Sequence, residues 1–373
     1  MDVIGIICEY NPFHTGHIYH IKKIKELYPN SLIIAVISSS FTQRGEVSVL
    51  NKWDKTKIAL DNNIDLVVEL PFVYSTQSAD HFASAALKIL NELKIEKLVF
   101  GSECNDIEIL TDIAKLQVNN KEFEKDVKKY IDLGNNYPTS LSLALKDQGK
   151  IKIDNPNDLL AISYIKEIIR NEYNIKPITI KRTNNYHGNN TGNILSGSDL
   201  RKLLKEGNSV KKYINYDEKL LYKNTNYFDL LKYQIINNNS ILKNIEDVSE
   251  GIEGRINKYI SASSSLEELT NNIKTKRYTY NKINRMLIHI LTNLTKKDSK
   301  LSIDYIRILG FNKNGKSYLN KIKKQVNIPI ITKYKDIKSP LLDYEKKAND
   351  IYSIIVKDNS LIKKELEKPI YKK

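Results

Sequence analysis

Val3-Ile4-Gly5-Ile6-Ile7-Cys8-Glu9-Tyr10-Asn11-Pro12-Phe13-His14-Thr15-Gly16-His17 opens the chain with an apolar run, a turn and an H-x-G-H tetrapeptide. Six strand-like residues bounded by a turn fit a parallel strand, and the helix-patterned run Ile18 to Leu27 follows directly. The tetrapeptide therefore falls where ligands of open α/β sheets bind, at the C-terminal end of a strand and the N-terminus of the next helix. Free N–H groups there favour anions. Two histidines three residues apart, with a glycine that lets backbone approach closely, can donate hydrogen bonds to phosphate oxygens as charge develops in a transition state. A short H-x-G-H string also occurs by chance, its histidines merely capping a helix; the strand–loop–helix context favours a nucleotide triphosphate site.

Outward from that stretch, strand patterns at 3–8, 32–38, 65–69 and 97–100 alternate with helix patterns at 16–28, 52–62 and 78–93, the rhythm of a parallel α/β sheet. Helix-patterned pieces at 106–116, 121–132, 137–147 and 157–171 precede a last strand over 178–182. These readings give one Rossmann-like, parallel-sheet nucleotide-binding domain over 1–205, with a helical excursion. Beyond Arg201 the alternation fades. Leu/Ile/Tyr periodicity at 215–222, 226–236, 240–248, 265–274, 279–296 and 302–309 predicts a mostly helical, basic second domain over 206–373, ending in a frayed basic tail after Pro369.

The 373 residues are 41% hydrophobic, enough for ordinary cores. The longest apolar runs, such as Leu32 to Ile37, fall far short of the roughly 20 residues a membrane span needs. Asp2 and Glu9 interrupt the region where a signal peptide would lie, so a cytoplasmic setting and no membrane partner are expected. The two cysteines, Cys8 and Cys104, exclude a disulfide framework and a cysteine zinc site. No metal-ligand pattern is read. A formal net charge of +15 suits a polyanionic partner, although the same lysines can simply be solvated.

A second signature lies at Leu195-Ser196-Gly197-Ser198-Asp199-Leu200-Arg201, where Ser196 and Asp199 form a capping-box pattern. Ser198, Arg201 and the free N–H groups of that helix can converge on the phosphates held by His14 and His17. His14, His17, Ser198 and Arg201 are thus the candidate catalytic residues.

The pairing is similar to nucleotidyltransferase-like α/β proteins with an H-x-G-H turn and a later serine-rich turn ending in arginine. With Phe41-Thr42-Gln43-Arg44-Gly45-Glu46, Glu69-Leu70-Pro71-Phe72, Phe100-Gly101-Ser102-Glu103 and Lys274-Thr275-Lys276-Arg277-Tyr278-Thr279, the chain resembles the tRNA-Met cytidine acetate ligase family nearly end to end. The resemblance implies that acetate and ATP, with magnesium, form acetyl-adenylate, and that the acetyl group passes to N4 of the wobble cytidine of elongator tRNA-Met. It implies ATP contacts from Ile7, Cys8, Glu9, Tyr10, Asn11, Pro12, Phe13, His14, Thr15, Gly16, His17, Ile18, Tyr19 and His20. Further contacts are implied at Gly101, Asn157, for which Asn155 is the competitor, and Arg182. Ser39-Ser40 and Asn51-Lys52-Trp53-Asp54-Lys55 depart from the family pattern. Gln43, Arg44 and Glu46 are read either as groups near the site or as a solvated polar loop. Lys274, Lys276, Arg277, Lys282 and Arg285, interleaved with Tyr278 and Tyr280, are the candidate RNA contacts; the alternative is an amphipathic helix with its lysines in water. The rival functions are a small-molecule adenylyltransferase and a non-catalytic RNA-binding protein.

Overall fold

The computed structural model describes residues 2–149, 153, 155–182 and 195–373. The first half alternates as the sequence predicts: β1 (Val3–Cys8), α1 (Thr15–Leu27), β2 (Leu32–Ser38), α2 (Lys52–Asp61), β3 (Leu66–Leu70), α3 (Phe72–Ser75), α4 (Ala79–Glu92) and β4 (Lys97–Ser102). A helical excursion follows, α5 (Ile107–Asn119), α6 (Lys121–Asp132), α7 (Tyr137–Asp147) and α8 (Pro156–Arg170), before β5 (Lys176–Lys181) and α9 (Gly197–Lys205). The remainder carries α10 (Phe228–Asn237), α11 (Ile252–Ile260), α12 (Leu266–Ile273), α13 (Tyr280–Thr292), β6 (Ile306–Phe311), α14 (Lys313–Ile322), β7 (Ile330–Ile331), α15 (Pro340–Val356), α16 (Ser360–Lys364) and β8 (Ile370–Tyr371).

The sheet runs β5-β4-β1-β2-β3-β6-β7, with β8 also on β6. Its first five strands pair in parallel. Every residue of β2 is buried, as expected when helices cover both faces of a parallel sheet. All the parallel strands deliver their C-terminal ends to one edge, and the loops after β1, β2 and β4 meet there.

Several sequence expectations are corrected. The patterns at 215–222 and 240–248 form no α-helix but short 3-10 stretches, Glu218–Leu220 and Asn239–Asn244. The run 302–309 is not a helix: β6 lies antiparallel to β3, through pairs such as Leu66 with Phe311. Tyr305 to Leu309 are all buried, Arg307 included because it pairs with Glu365, and so short a buried run is not told from a buried helix segment by periodicity. The segment after Pro369 is not frayed either, because β8 pairs with Gly310 and Phe311. The sheet thus draws strands from beyond residue 205, while α10 to α13 supply the helical character expected of 206–373.

Behind β2 and β3, a cluster of charges is sealed from solvent. Lys52 Nζ lies 2.7 Å from Glu69, 3.1 Å from Glu345 and 2.8 Å from Glu365, and Arg307 pairs with Glu365 and Glu69. Glu345 also accepts bonds from Ser39 Oγ and the Phe72 N–H. Burial works against the Lys52 charge, but the three carboxylates hold its ammonium above the usual lysine value. Burial, then the nearby Glu345, pushes Glu69 up to about 7. Lys55, buried beside them, donates to the Ser38 and Ser39 carbonyls, and burial brings it down to about 7. The segment that departs from the family pattern is therefore interior. Asn51 caps α2, Lys52 ties β3 to α15 and to Glu365 at the end of α16, and Lys55 holds the end of β2.

Candidate active site

The loop after β1 turns through Tyr10, at φ 49°, and the cis Asn11–Pro12 peptide before α1 begins. His14 is the N-cap of α1: its Nδ1 accepts from the Gly16 N–H at 3.0 Å, while His17 Nδ1 accepts from the His14 N–H at 3.1 Å. A neutral imidazole whose Nδ1 accepts carries its proton on Nε2. Each ring is thereby fixed as an Nε2–H donor, and the ring centroids lie 4.0 Å apart. Burial, reinforced by Arg182 and Arg201, lowers His14 to about 3; burial and the neighbouring His14 bring His17 well below its usual value. His20 is lowered to about 4 by burial and Arg182, and its Nε2 has no hydrogen-bond partner among the described residues. Both residues of the H-x-G-H turn are neutral donors near pH 7.

They line a cavity of about 430 Å³ at the C-terminal edge of the sheet. Of the 7–20 loop, Ile7 to Pro12, His14, Gly16, His17, Tyr19 and His20 line it. Phe13 is instead fully buried in the core, with Ile18 packed against that core, and Thr15 is half-buried off the lining. Phe13 and Ile18 support the loop from behind. Glu9 contributes a carboxyl to the lining; burial raises it, against the Gln43 N–H donated to its Oε1 at 2.6 Å.

The second signature reaches the same cavity. Ser196 caps α9 and exchanges bonds with Asp199, so the predicted capping box is present. Arg201 Nη1 donates to the Asn11 carbonyl at 2.7 Å, and Nη2 lies 3.3 Å from Ser198 Oγ. Nη2 is also 2.9 and 2.8 Å from the two oxygens of Glu46. His14, His17, Ser198 and Arg201 thus share one lining, although the motifs lie some 180 residues apart in sequence.

Gly101, at the end of β4, forms a third stretch of wall with Asn157 and Arg182. A Cβ on Gly101 would sit 3.1 Å from Arg182 Cγ, so the side chain lies against bare backbone. Glu103 joins the other two: Asn157 Nδ2 donates to Glu103 Oε1 at 2.5 Å, and Arg182 Nε is 3.4 Å from the same oxygen. Fully buried Asp158 accepts from Ser102 Oγ and the Glu103 and Cys104 N–H groups, fixing the loop after β4. Asn157, not Asn155, lines the cavity. Gln43, Arg44 and Glu46 line it as well, as does Asn281 at the start of α13, a position that no sequence motif marks.

The basic strip divides. Lys276 and Arg277 are exposed, while Lys274 and Lys282 are half-buried with their ammonium groups 5.4 Å over Tyr280 and 4.3 Å over Tyr278. Arg285 is turned inward, nine-tenths buried, with Nε 3.6 Å from Asp247, and so leaves the candidate RNA face. Tyr278 is also interior, hydrogen-bonded to Ser249; Tyr280 remains half exposed. Helical periodicity separates these positions only once the face of α13 packed on the core is known.

Among the described residues, no group of three or more His, Cys, Asp or Glu side chains is gathered to hold a metal ion. The cavity is lined by N–H and hydroxyl donors suited to phosphate oxygens, and its carboxylates Glu9 and Glu46 accept from the Gln43 N–H and from Arg201. No helix of the described residues is long and apolar enough to cross a membrane.

Comparison with known proteins gives one answer at three levels. The profile of the HIGH Nucleotidyl Transferase family matches residues 1–367. A tRNA(Met) cytidine acetate ligase of Anoxybacillus flavithermus is 38% identical over 382 residues, covering 95% of each chain. Those of Caldicellulosiruptor saccharolyticus and Clostridium perfringens are each 39% identical, over 96% of this chain and 95% and 98% of their own. The crystal structure of Thermotoga maritima TmcAL bound with alpha-thio ATP matches with a TM-score of 0.88 at 28% identity, over 100% of this chain and 99% of that one. The apo form of the same protein matches with a TM-score of 0.87. With a family profile over nearly the whole chain and relatives close to two-fifths identical across it, this chain belongs to the HIGH nucleotidyl transferase family, in its group of tRNA(Met) cytidine acetate ligases.

Proposed function

We propose that the chain activates acetate with ATP and acetylates N4 of the wobble cytidine of elongator tRNA-Met in the cytoplasm. In the first step an acetate oxygen attacks the α-phosphorus and pyrophosphate departs. In the second, the cytidine amine attacks the acetyl carbonyl, loses a proton and releases AMP. The observation that carries the reading is the fixed pair of neutral Nε2–H donors, His14 and His17, in one cavity with Ser198 and Arg201. Preorganised donors stabilise charge on transferring phosphates without reorganising during the reaction.

In this reading the 7–20 loop, Gly101, Asn157 and Arg182 hold the nucleotide, and Ser198 with Arg201 receives the departing pyrophosphate. The nucleotide enters with magnesium on its own phosphates, and no step is assigned to protein–metal bonds. Lys274, Lys276, Arg277 and Lys282 are proposed to meet RNA phosphates, with exposed Tyr280 available to an unstacked base. The target cytidine leaves its stack to reach the adenylate.

The test is ATP, acetate and in vitro transcribed elongator tRNA-Met, scored for pyrophosphate and, by nucleoside mass spectrometry, for N4-acetylcytidine. Product that requires all three and is lost in His17→Ala supports the proposal. Nucleotide turnover without modified nucleoside points instead to a small-molecule adenylyltransferase, and RNA binding without either signal to a non-catalytic binding protein.

A further inference from the structure

Arg201 enters the cavity from the second turn of α9, and a long arginine side chain there keeps its reach at the cost of rotational freedom. Its guanidinium is nevertheless held on two sides. Glu46 takes Nη2 with both carboxylate oxygens, and the Asn11 carbonyl takes Nη1. Asn11 is itself fixed, since its Oδ1 accepts from the Val49 N–H at 2.8 Å.

Glu46 sits on a rigid support. Phe41 and Val47 form a bridge, the Thr42 N–H donates to the Glu46 carbonyl at 3.0 Å, and the Glu46 N–H donates to Thr42 Oγ1 at 3.2 Å. The turn closes through Gly45, at φ 73°, whose missing Cβ would lie 2.3 Å from the Arg285 backbone nitrogen. The tip carrying Glu46 is thus pressed onto the backbone of α13. The Asn11 and Glu46 contacts leave Arg201 Nε and the second hydrogen of Nη1 without a partner among the described residues, available to an oxyanion.

We propose that Glu46 is the positioning residue for Arg201, holding the guanidinium at the place where the leaving pyrophosphate gathers charge. The inference rests on the ligase reading above and assigns Glu46 no contact with substrate. Glutamine at this position offers one acceptor oxygen in place of two and turns its N–H group toward the guanidinium, so the hold is lost while size is kept.

The experiment is a double-mutant cycle on pyrophosphate release, with Glu46→Gln and Glu46→Asp each made alone and with Arg201→Ala, and thermal melting as the check on folding. Misplacing a positioned group by about 1 Å costs on the order of 100-fold. Glu46→Gln is therefore expected to lower kcat by roughly 10- to 100-fold with little change in KM for ATP, and Glu46→Asp to restore part of it. In the Arg201→Ala background the same change is expected to have almost no further effect, as for residues that act as a unit. Additive losses overturn the proposal, as does an unchanged first step in Glu46→Gln. A defect confined to acetyl transfer overturns it too, because Glu46 would then serve the cytidine amine. If the unmodified chain releases no pyrophosphate with acetate, the ligase reading fails. The clamp is then decided by the affinity for inorganic pyrophosphate, expected to weaken on Glu46→Gln only where Arg201 is present.

Discussion

The molecule gathers its polar side chains in two places, and they are built to opposite ends. In the cavity, the histidines at the front of α1 are neutral, and the arginines Arg182 and Arg201 are only part-buried on its lining. Behind β2 and β3, Lys52, Arg307, Glu69, Glu345 and Glu365 are almost wholly buried, and each charge faces another. A buried ion cluster of this kind is a poor source of stability but specifies which elements meet, because any other arrangement strands a charge. The cavity leaves donors unused so that a ligand can take them. In the cluster every charge meets an opposite one, although Arg307 Nε makes no hydrogen bond among the described residues, so that α15 and α16 can lie only one way against the sheet.

The comparison breaks most visibly at Lys52. Lys52→Met leaves three carboxylates around Arg307 alone, and urea denaturation is expected to show a loss of about 3–5 kcal/mol. His17→Ala is the counterpart in the cavity: kcat for pyrophosphate release is expected to fall about 10²–10³-fold, or about 2.7–4 kcal/mol in the barrier, with the urea midpoint nearly unmoved. If Lys52→Met melts normally, or His17→Ala unfolds the chain, the division of labour is wrong.

Gly45→Ala tests the support of the cavity, where the turn that carries Glu46 lies on the backbone of α13. A Cβ at φ 73° meeting the Arg285 backbone is expected to cost about 1–3 kcal/mol in stability, and pyrophosphate release should slow as Glu46 moves. Acid sharpens the contrast further. His14 and His20 titrate at about 3 and about 4 when folded, against about 6.5 unfolded. Below pH 6.5 the unfolded chain therefore binds protons that the folded one refuses, and stability falls as pH drops toward 4, by at most about 1.4 kcal/mol per pH unit for each histidine. Urea titrations at pH 7 and 5.5 should show the loss, and His20→Gln should reduce it. The smallest effect is expected at the basic strip, where Lys276→Ala or Arg277→Ala should lower the salt dependence of tRNA binding by about one unit of slope and leave pyrophosphate release alone.

The cavity was more legible than the cluster for a physical reason. Its two motifs are local: a strand, a turn and a capped helix announce themselves within a few residues, as His14 to His17 and Ser196 to Arg201 do. The element order through β5 was legible on the same grounds. Lys52 and Glu345, by contrast, lie 293 positions apart. A charged residue in isolation reads as solvated, so nothing in either neighbourhood marks a buried partner. The inward turn of Arg285 was hidden likewise, because its partner Asp247 comes from another element. The strand β6 was missed because its run is short and its arginine, Arg307, is buried on a partner remote in sequence, Glu365.

That strand also bears on how the chain is made. During synthesis β1 to β4 can pair as they leave the ribosome, but Leu66, Val67 and Val68 of β3 present an unpaired apolar edge until residues 306–311 have emerged. An open edge of that kind is a template for wrong pairing between chains. The charges of Lys52 and Glu69 wait longer still, since Glu365 comes some 300 residues after them. The nascent protein therefore spends most of its elongation with its sheet incomplete, a window in which a chaperone at the β3 edge would have most to protect.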